Sequence, residues 1–378
     1  MSIVSRVQNY LPEFLRLLEE SVNMDSPSRK KALGDVMGDW YAQQFQKIIG
    51  GEVERIPNPL YGDQIKLKIG EGDKQILLVG HYDTVWPEGE ALRRPFTIRE
   101  GRAFGPGVYD MKAGLLQAFY ALRVLIDTNR FPKDKRVVLF INSDEEIGSP
   151  TSRAILEEEA RRSAAAFVLE PPLAPRGALK TWRKGSGRFT MSVKGISAHA
   201  GVDHEKGVSA IQEISHQIQQ LHSLTNYETG TTVNVGLVSG GIGGNVVADY
   251  AEAEIDVRMK SVQEAERIKE IIMHPVPSLP GTTITVKGDI VRPPMERTKD
   301  IAQLFQLARK IGIEELGMEL EEGGTGGVSD GNFVAINGVP VLDGVGARGD
   351  YAHSEKEYVQ IDEIPARTAL LARLIEEC

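Results

Sequence analysis

Three near-continuous apolar runs in the first half of the chain restrict its fold more than any other feature. "QILLVG" (75–80), "RVVLFIN" (136–142) and "AAAFVLE" (164–170) are too short for stable helices and show no alternation of apolar and polar residues. Strands of that kind are buried on both faces, as parallel strands are when helices cover the sheet from either side. The segments between them supply such helices: "MKAGLLQAFYALRVLIDTN" (111–129) and "TSRAILEEEARR" (151–162) repeat their apolar residues at helical spacing. The alternation predicts an α/β domain built on a mainly parallel sheet.

The pattern changes after about Thr181. Residues 187–195, 231–240, 246–260 and 282–290 alternate apolar and polar side chains, while 207–223 and 261–273 have helical periodicity. Four half-buried strands and two helices make a small open α+β sandwich. From Val291 the first pattern resumes, with a helix (299–311), a glycine-rich loop "EGGTGGVSDGN" (322–332), a strand (339–345) and a closing helix (362–377). The expected organisation is one domain of residues 1–182 and 291–378, interrupted by a smaller one at 183–290. A chain of 378 residues is long enough for two cores.

Charge and composition exclude several classes. A net charge of −9 disfavours nucleic acid, whose phosphates call for concentrated Lys and Arg. No apolar run approaches the roughly 20 residues that span a bilayer. The first twenty residues, "MSIVSRVQNYLPEFLRLLEE", read as an amphipathic helix and not as a signal peptide. The only cysteine is Cys378, which rules out an intrachain disulfide and fits a reducing compartment. A soluble cytoplasmic protein is expected.

In open α/β sheets, ligands bind beyond the carboxyl ends of the strands. Here "ILLVG" leads to His81 and Asp83, "VVLFINSD" to Glu145 and Glu146, and "AAAFVL" to Glu170. "PVLDGV" leads through a short loop to His353, and Asp110 precedes a helix that begins at the same edge. Each of these alone reads more simply as a cap, a solvated acid or a surface imidazole. Together they set two imidazoles and several carboxylates on one rim, where the negative charge needs a cation or protons to offset it. The ligand types suit zinc, with manganese and cobalt also compatible. The number of groups suggests two ions, with one of the adjacent Glu145 and Glu146 serving as a ligand and the other addressing a shared water. Asp83, on the same side of the chain as His81, is placed to accept that imidazole's second N–H.

The motifs "GHYDTV", "GPGVYDMKAG", "SDEEIGS", "LEP", "SAHAG" and "AHSEKEYV" follow one another in an order and spacing that resemble the dizinc aminoacylase/carboxypeptidase family of metallopeptidases. The likeness spans nearly the whole chain and looks closest to the bacterial glutamate carboxypeptidase (carboxypeptidase G) branch. It implies a zinc-exopeptidase-like catalytic domain with an inserted lid and dimerisation domain. It also implies His81 and Glu170 on one zinc, Glu146 and His353 on the other, Asp110 bridging, Glu145 as general base and acid, and Asp83 behind His81. A cis peptide at Asp110–Met111 belongs to the same pattern, although several relatives have Asp-Asp where this chain has Asp-Met.

From the second domain, the resemblance implies that His199 stabilises the oxyanion in a partner subunit's site. It further implies that Arg258 and Asn245 hold the substrate's free carboxylate. The glycine-rich loop, Gly326 included, is expected to line the substrate pocket; it lacks the Lys-Ser/Thr of a phosphate loop. The expected protein is a homodimeric hydrolase with two zinc ions per subunit, cleaving a C-terminal amino acid from an N-acyl amino acid or short peptide. A deacylase of small N-acyl amino acids is the alternative, and a silent binding protein of the same fold a more distant one.

Overall fold

The computed structural model describes residues 2–378. The chain forms two compact units, one of Met1–Trp182, Arg297–Gly324 and Ser329–Cys378, the other of Arg183–Glu296 and Thr325–Val328.

At the centre of the first unit four strands run parallel, in the spatial order Lys135–Asn142, Lys74–His81, Ser163–Val168 and Val341–Asp343. They belong to an eight-stranded mixed sheet. Glu52–Ile56 and Gln64–Ile69 continue it antiparallel on one side, and Leu179–Arg183, with Glu322–Thr325 beyond it, on the other. The central strands are buried along nearly their whole length, as their unbroken apolar sequences require. The helix Ala113–Asp127 is apolar except at Gln117, Arg123 and Asp127, and is almost wholly buried. It packs with Ile3–Val22 and Ile364–Glu377 around a core that includes Phe14, Leu18, Leu116, Phe119 and Leu370. The N-terminal helix thus contributes core residues through its apolar face.

Glu52–Ile56 and Gln64–Ile69 lie outside the strands expected from the sequence, although "QIKLKI" alternates polar and apolar residues. Lys66 is nevertheless buried, its ammonium 3.1 Å from Glu159 and 2.8 Å from Glu54. Also unforeseen is a four-stranded sheet of very short strands, in the order Gly349–Asp350, Tyr358–Gln360, Arg102–Phe104 and Thr97–Arg99. Its antiparallel hairpin carries His353 in the connecting loop.

The second unit is an antiparallel sheet in the order Thr232–Gly240, Tyr250–Met259, Gly185–Lys194 and Thr283–Arg292. Alternate residues of Tyr250–Met259 are buried, and the helices Ala210–Ser223 and Val262–Met273 pack on the sheet. Both helices begin at serine caps, Ser209 and Ser261, whose side chains accept the N–H groups of Gln212 and Glu264. The unit reaches past residue 290 to Glu296. Its last long strand continues to Arg292, and Arg183 and Met295 exchange backbone hydrogen bonds of 2.9 and 3.1 Å. The expected strand at 246–260 is broken into Val246–Val247 and Tyr250–Met259. No helix among the described residues is long and apolar enough to cross a membrane.

Candidate metal centre

His81 is the last residue of a central parallel strand, and Glu145 and Glu146 form the turn that follows the strand beside it. Glu170 follows the third parallel strand, and Asp110 lies in the tight turn Val108–Lys112 that opens the buried helix. The Asp110–Met111 peptide is cis. His353 sits in the hairpin loop with a left-handed backbone (φ 60°).

These side chains meet in two groups that share Asp110. Nε2 of His81 is 3.2 Å from Asp110 Oδ1 and 3.5 Å from Glu170 Oε1. Nε2 of His353 is 3.3 Å from Asp110 Oδ2 and 3.2 Å from Glu146 Oε2. Glu145 lies with His81 and Glu170, their ligating atoms all within 4.8 Å of one another.

The fit to cations follows from the orientation of His81. Its Nδ1 makes a 2.9 Å hydrogen bond to the Asp83 carbonyl oxygen, so in the neutral ring Nδ1 carries the proton and Nε2 presents a lone pair. That lone pair faces carboxylate oxygens, which are also acceptors. His81 Nε2, Asp110 Oδ1 and Glu146 Oε1 are all buried with no hydrogen-bond partner. Lone pairs facing lone pairs repel unless a proton or a cation lies between them. The titration of the cluster expresses the same demand. Burial opposes ionisation of Asp110, yet the imidazoles of His353 and His81 outweigh it and hold the carboxyl well below the usual range. The Asp110 and Glu146 carboxylates raise His353 to about 11, and burial pushes Glu146 up to about 7. Imidazoles and carboxylates at these spacings suit divalent ions of the zinc type.

Asp83 lies behind the site, where both its backbone carbonyl and its carboxylate face Nδ1 of His81. It holds His81 through its backbone carbonyl, while its carboxylate stands 3.4 Å from the ring nitrogen. That carboxylate accepts the Glu145 and Glu146 N–H groups, each at 3.2 Å, and the Ser28 hydroxyl at 2.7 Å. The unpaired N–H groups that start a helical turn need an acceptor, and they have taken this one. Asp330, from the glycine-rich loop, accepts the Ser149 hydroxyl at 2.5 Å and the Asn142 amide, bracing the same turn from another direction. Neither Ser28 nor Asp330 stood out in the sequence, since each meets its partner only through the fold.

In the second unit, the short strand Ala198–His199 pairs with Val246–Val247, and the Ala200 N–H donates to the Asn245 carbonyl. His199 and Asn245 are therefore neighbours. Nδ1 of His199 accepts the Gly201 N–H at 3.1 Å, so the ring's donor is Nε2. Arg258 is engaged with Asp256 on its own strand through two bonds of 2.9 and 3.2 Å. Gly326 has open space where a Cβ would be, so nothing in the fold demands glycine there. The demand falls on Gly324, whose Cβ would lie 2.0 Å from the Trp182 ring.

A mixed α/β sheet bearing a two-part cluster of His, Asp and Glu at its strand ends defines a metal-dependent hydrolase of the dinuclear metallopeptidase kind. The chain belongs to Peptidase family M20/M25/M40, which matches residues 77–377. It is 30% identical to Carboxypeptidase G2 of Pseudomonas sp. (strain RS-16), over 96% of this chain and 89% of that protein. In fold it is similar to aminopeptidase PepT from Bacillus cereus, with a TM-score of 0.81, 23% identity and coverage of 97% of this chain and 98% of that one. It is also similar to the M20 family metallo-carboxypeptidase Sso-CP2 from Sulfolobus solfataricus, with a TM-score of 0.72, 17% identity and coverage of 97% and 100%.

Proposed function

We infer that the protein hydrolyses the amide bond joining a C-terminal amino acid to the rest of an N-acyl amino acid or short peptide. The observation that carries this reading is the pair of acceptor-lined half-sites sharing Asp110. His81, Asp110 and Glu170 would hold one zinc ion, and His353, Asp110 and Glu146 the other. Two such ions, when bound, lower the pKa of a water and polarise the scissile carbonyl.

Glu145, which stands within ligand distance of His81 and Glu170, is the acid this reading assigns to proton transfer. It takes a proton from the attacking water as the new C–O bond forms, and returns it to the amine nitrogen as the C–N bond breaks. Asp83 fixes the backbone of Glu145 and Glu146 and so aims both side chains. In the second unit, the Nε2–H of His199 suits a developing oxyanion. Arg258 suits a terminal carboxylate through the two-pronged geometry it already shows with Asp256. A substrate carboxylate would then replace Asp256 as its partner. Asn245 and the loop at Gly326 complete the proposed substrate contacts.

The relatives support the peptidase chemistry, and the 30% identity to a carboxypeptidase favours C-terminal cleavage. Homodimerisation through the second unit is part of the reading. Strand Thr232–Gly240 is paired on one side only and exposes Leu237 and Val238.

The test compares an N-acyl amino acid with its C-terminal amide, using zinc-loaded enzyme. The free acid should be cleaved with at least tenfold higher kcat/KM, the scale of one charge-assisted pair. Equal efficiency on both would remove the carboxylate site. No hydrolysis of any N-acyl amino acid or dipeptide would remove the proposed activity.

A further inference from the structure

One carboxylate outside the ligand set fastens together three of the segments that carry ligands. Glu357 is buried, 1% exposed, in the stretch that leads from His353 into the strand Tyr358–Gln360. Its Oε1 accepts the Trp86 indole N–H at 2.8 Å and the Gly107 backbone N–H at 2.7 Å. Trp86 lies in the loop after His81. Gly107 opens the turn that contains Asp110, and the Gly107 carbonyl in turn receives the Lys112 N–H at 2.9 Å.

The contact is tight as well as bonded. Gly107 has a left-handed backbone (φ 71°), and a Cβ there would lie 2.6 Å from the Thr84 methyl. The Asp110 turn is thus pressed against the loop that leaves His81. A buried carboxylate is costly unless donors and a nearby positive charge offset it. Here the two N–H groups supply the donors. The buried ammonium of Lys112, which donates to the Met24 carbonyl at 2.9 Å, lies within electrostatic reach, yet Glu357 Oε2 has no hydrogen-bond partner and burial still pushes the carboxyl up to about 7.

We propose that Glu357 is a positioning residue that holds the segments of His81, Asp110 and His353 in mutual register, so that the two half-sites bind divalent cations as one centre. The proposal rests on the metal-centre reading above. Glu357 stands outside the ligand set and acts through the Trp86 side chain and the Gly107 backbone, which belong to the segments that carry His81 and Asp110.

The experiment titrates the metal-free protein with Zn²⁺ by calorimetry and follows Trp86 emission in a Trp40→Phe/Trp182→Phe background. Glu357→Ala strands both donors and should weaken zinc binding about tenfold or more, the loss typical of residues that orient ligands. It should also shift Trp86 emission, because the indole N–H loses its acceptor. Glu357→Gln keeps an acceptor oxygen in the same place and should bind within about threefold of the native protein, with native emission. Native affinity in a folded Glu357→Ala, or a tenfold loss in Glu357→Gln at unchanged melting temperature, would overturn the clamp. If Glu357→Ala does not fold, Trp86→Phe removes one arm alone: a threefold or greater loss supports the clamp, and native affinity refutes it. A native protein that binds no zinc would overturn the metal-centre reading and the clamp with it. Zinc binding that survives every variant overturns the clamp alone.

Discussion

Glu145 and Glu146 are adjacent in the chain yet serve different neighbours. Glu146 reaches the His353 half of the cluster, while Glu145 lies with His81 and Glu170. The turn beginning at Asp144 separates their directions, and Asp83 holds both amides while it does so. The division of labour predicts that Glu145→Gln lowers kcat by roughly 100- to 10,000-fold, the usual worth of a positioned acid–base group. Bound zinc, measured by elemental analysis, should stay at the native level. A Glu145→Gln enzyme with native turnover would sink the role. His81, Glu145, Glu146 and Glu170 were legible in the sequence because each is a metal-binding type just after an apolar strand, while Asp110 precedes a helix at the same edge and His353 lies in a hairpin loop. Ser28, Asp330 and Glu357 were not, because their partners lie far away in the chain: Ser28 is 55 positions from Asp83, and Glu357 is 271 from Trp86.

Single side chains also decide how elements are held. In the second unit, Glu213 on the helix Ala210–Ser223 is buried and accepts the N–H groups of Ser278 at 3.0 Å and Leu279 at 2.6 Å. It also accepts the Gln217 amide at 2.8 Å and the Thr282 hydroxyl at 3.2 Å. One carboxylate thereby stitches the loop before Thr283–Arg292 onto the helix. Glu213→Ala should cost about 2–4 kcal/mol, since it leaves two backbone donors without an acceptor. Burial tends to raise the Glu213 pKa, but these four donors outweigh it and bring it below the ordinary value of 4.5. A depressed folded pKa contributes stability above the unfolded value, and that contribution is lost as pH falls through the folded one. Calorimetric melting should therefore show a large gap between native and variant at pH 7 that narrows below about pH 4. A gap independent of pH would mean that the charge is immaterial. At this scale, long apolar runs were readable, whereas the three-residue strands beside His353 were not; "QIKLKI" alternates polar and apolar residues, but its burial on both faces, Lys66 included, was not readable. A buried lysine paired with glutamate mimics a surface pattern, and a three-residue strand is too short to display a period.

For the whole molecule, the carboxylate-rich rim sits in a chain of net charge −9, so bound cations relieve both local and general repulsion. Removing them with a chelator should lower the melting temperature, and stoichiometric zinc should restore it. Saturation at about 100 times Kd corresponds to roughly 2.7 kcal/mol per site. An unchanged melting temperature after verified metal removal would contradict a cation-dependent centre. The two-part organisation was legible because the periodicity changes near Thr181 and changes back after Val291. That Thr325–Val328 belongs with the second unit was not, since no local pattern marks four loop residues as partners of a distant strand.

The handshake between Arg183 and Met295 joins the place where the chain departs for the second unit to the place where it comes back. Such a neck sets the two ends of the intervening stretch side by side, so that it resembles a cassette, the geometry in which inserted domains are tolerated. The tether of Lys184 to Thr325 sets one condition on that freedom, because a transplanted cassette must bring the small loop with it.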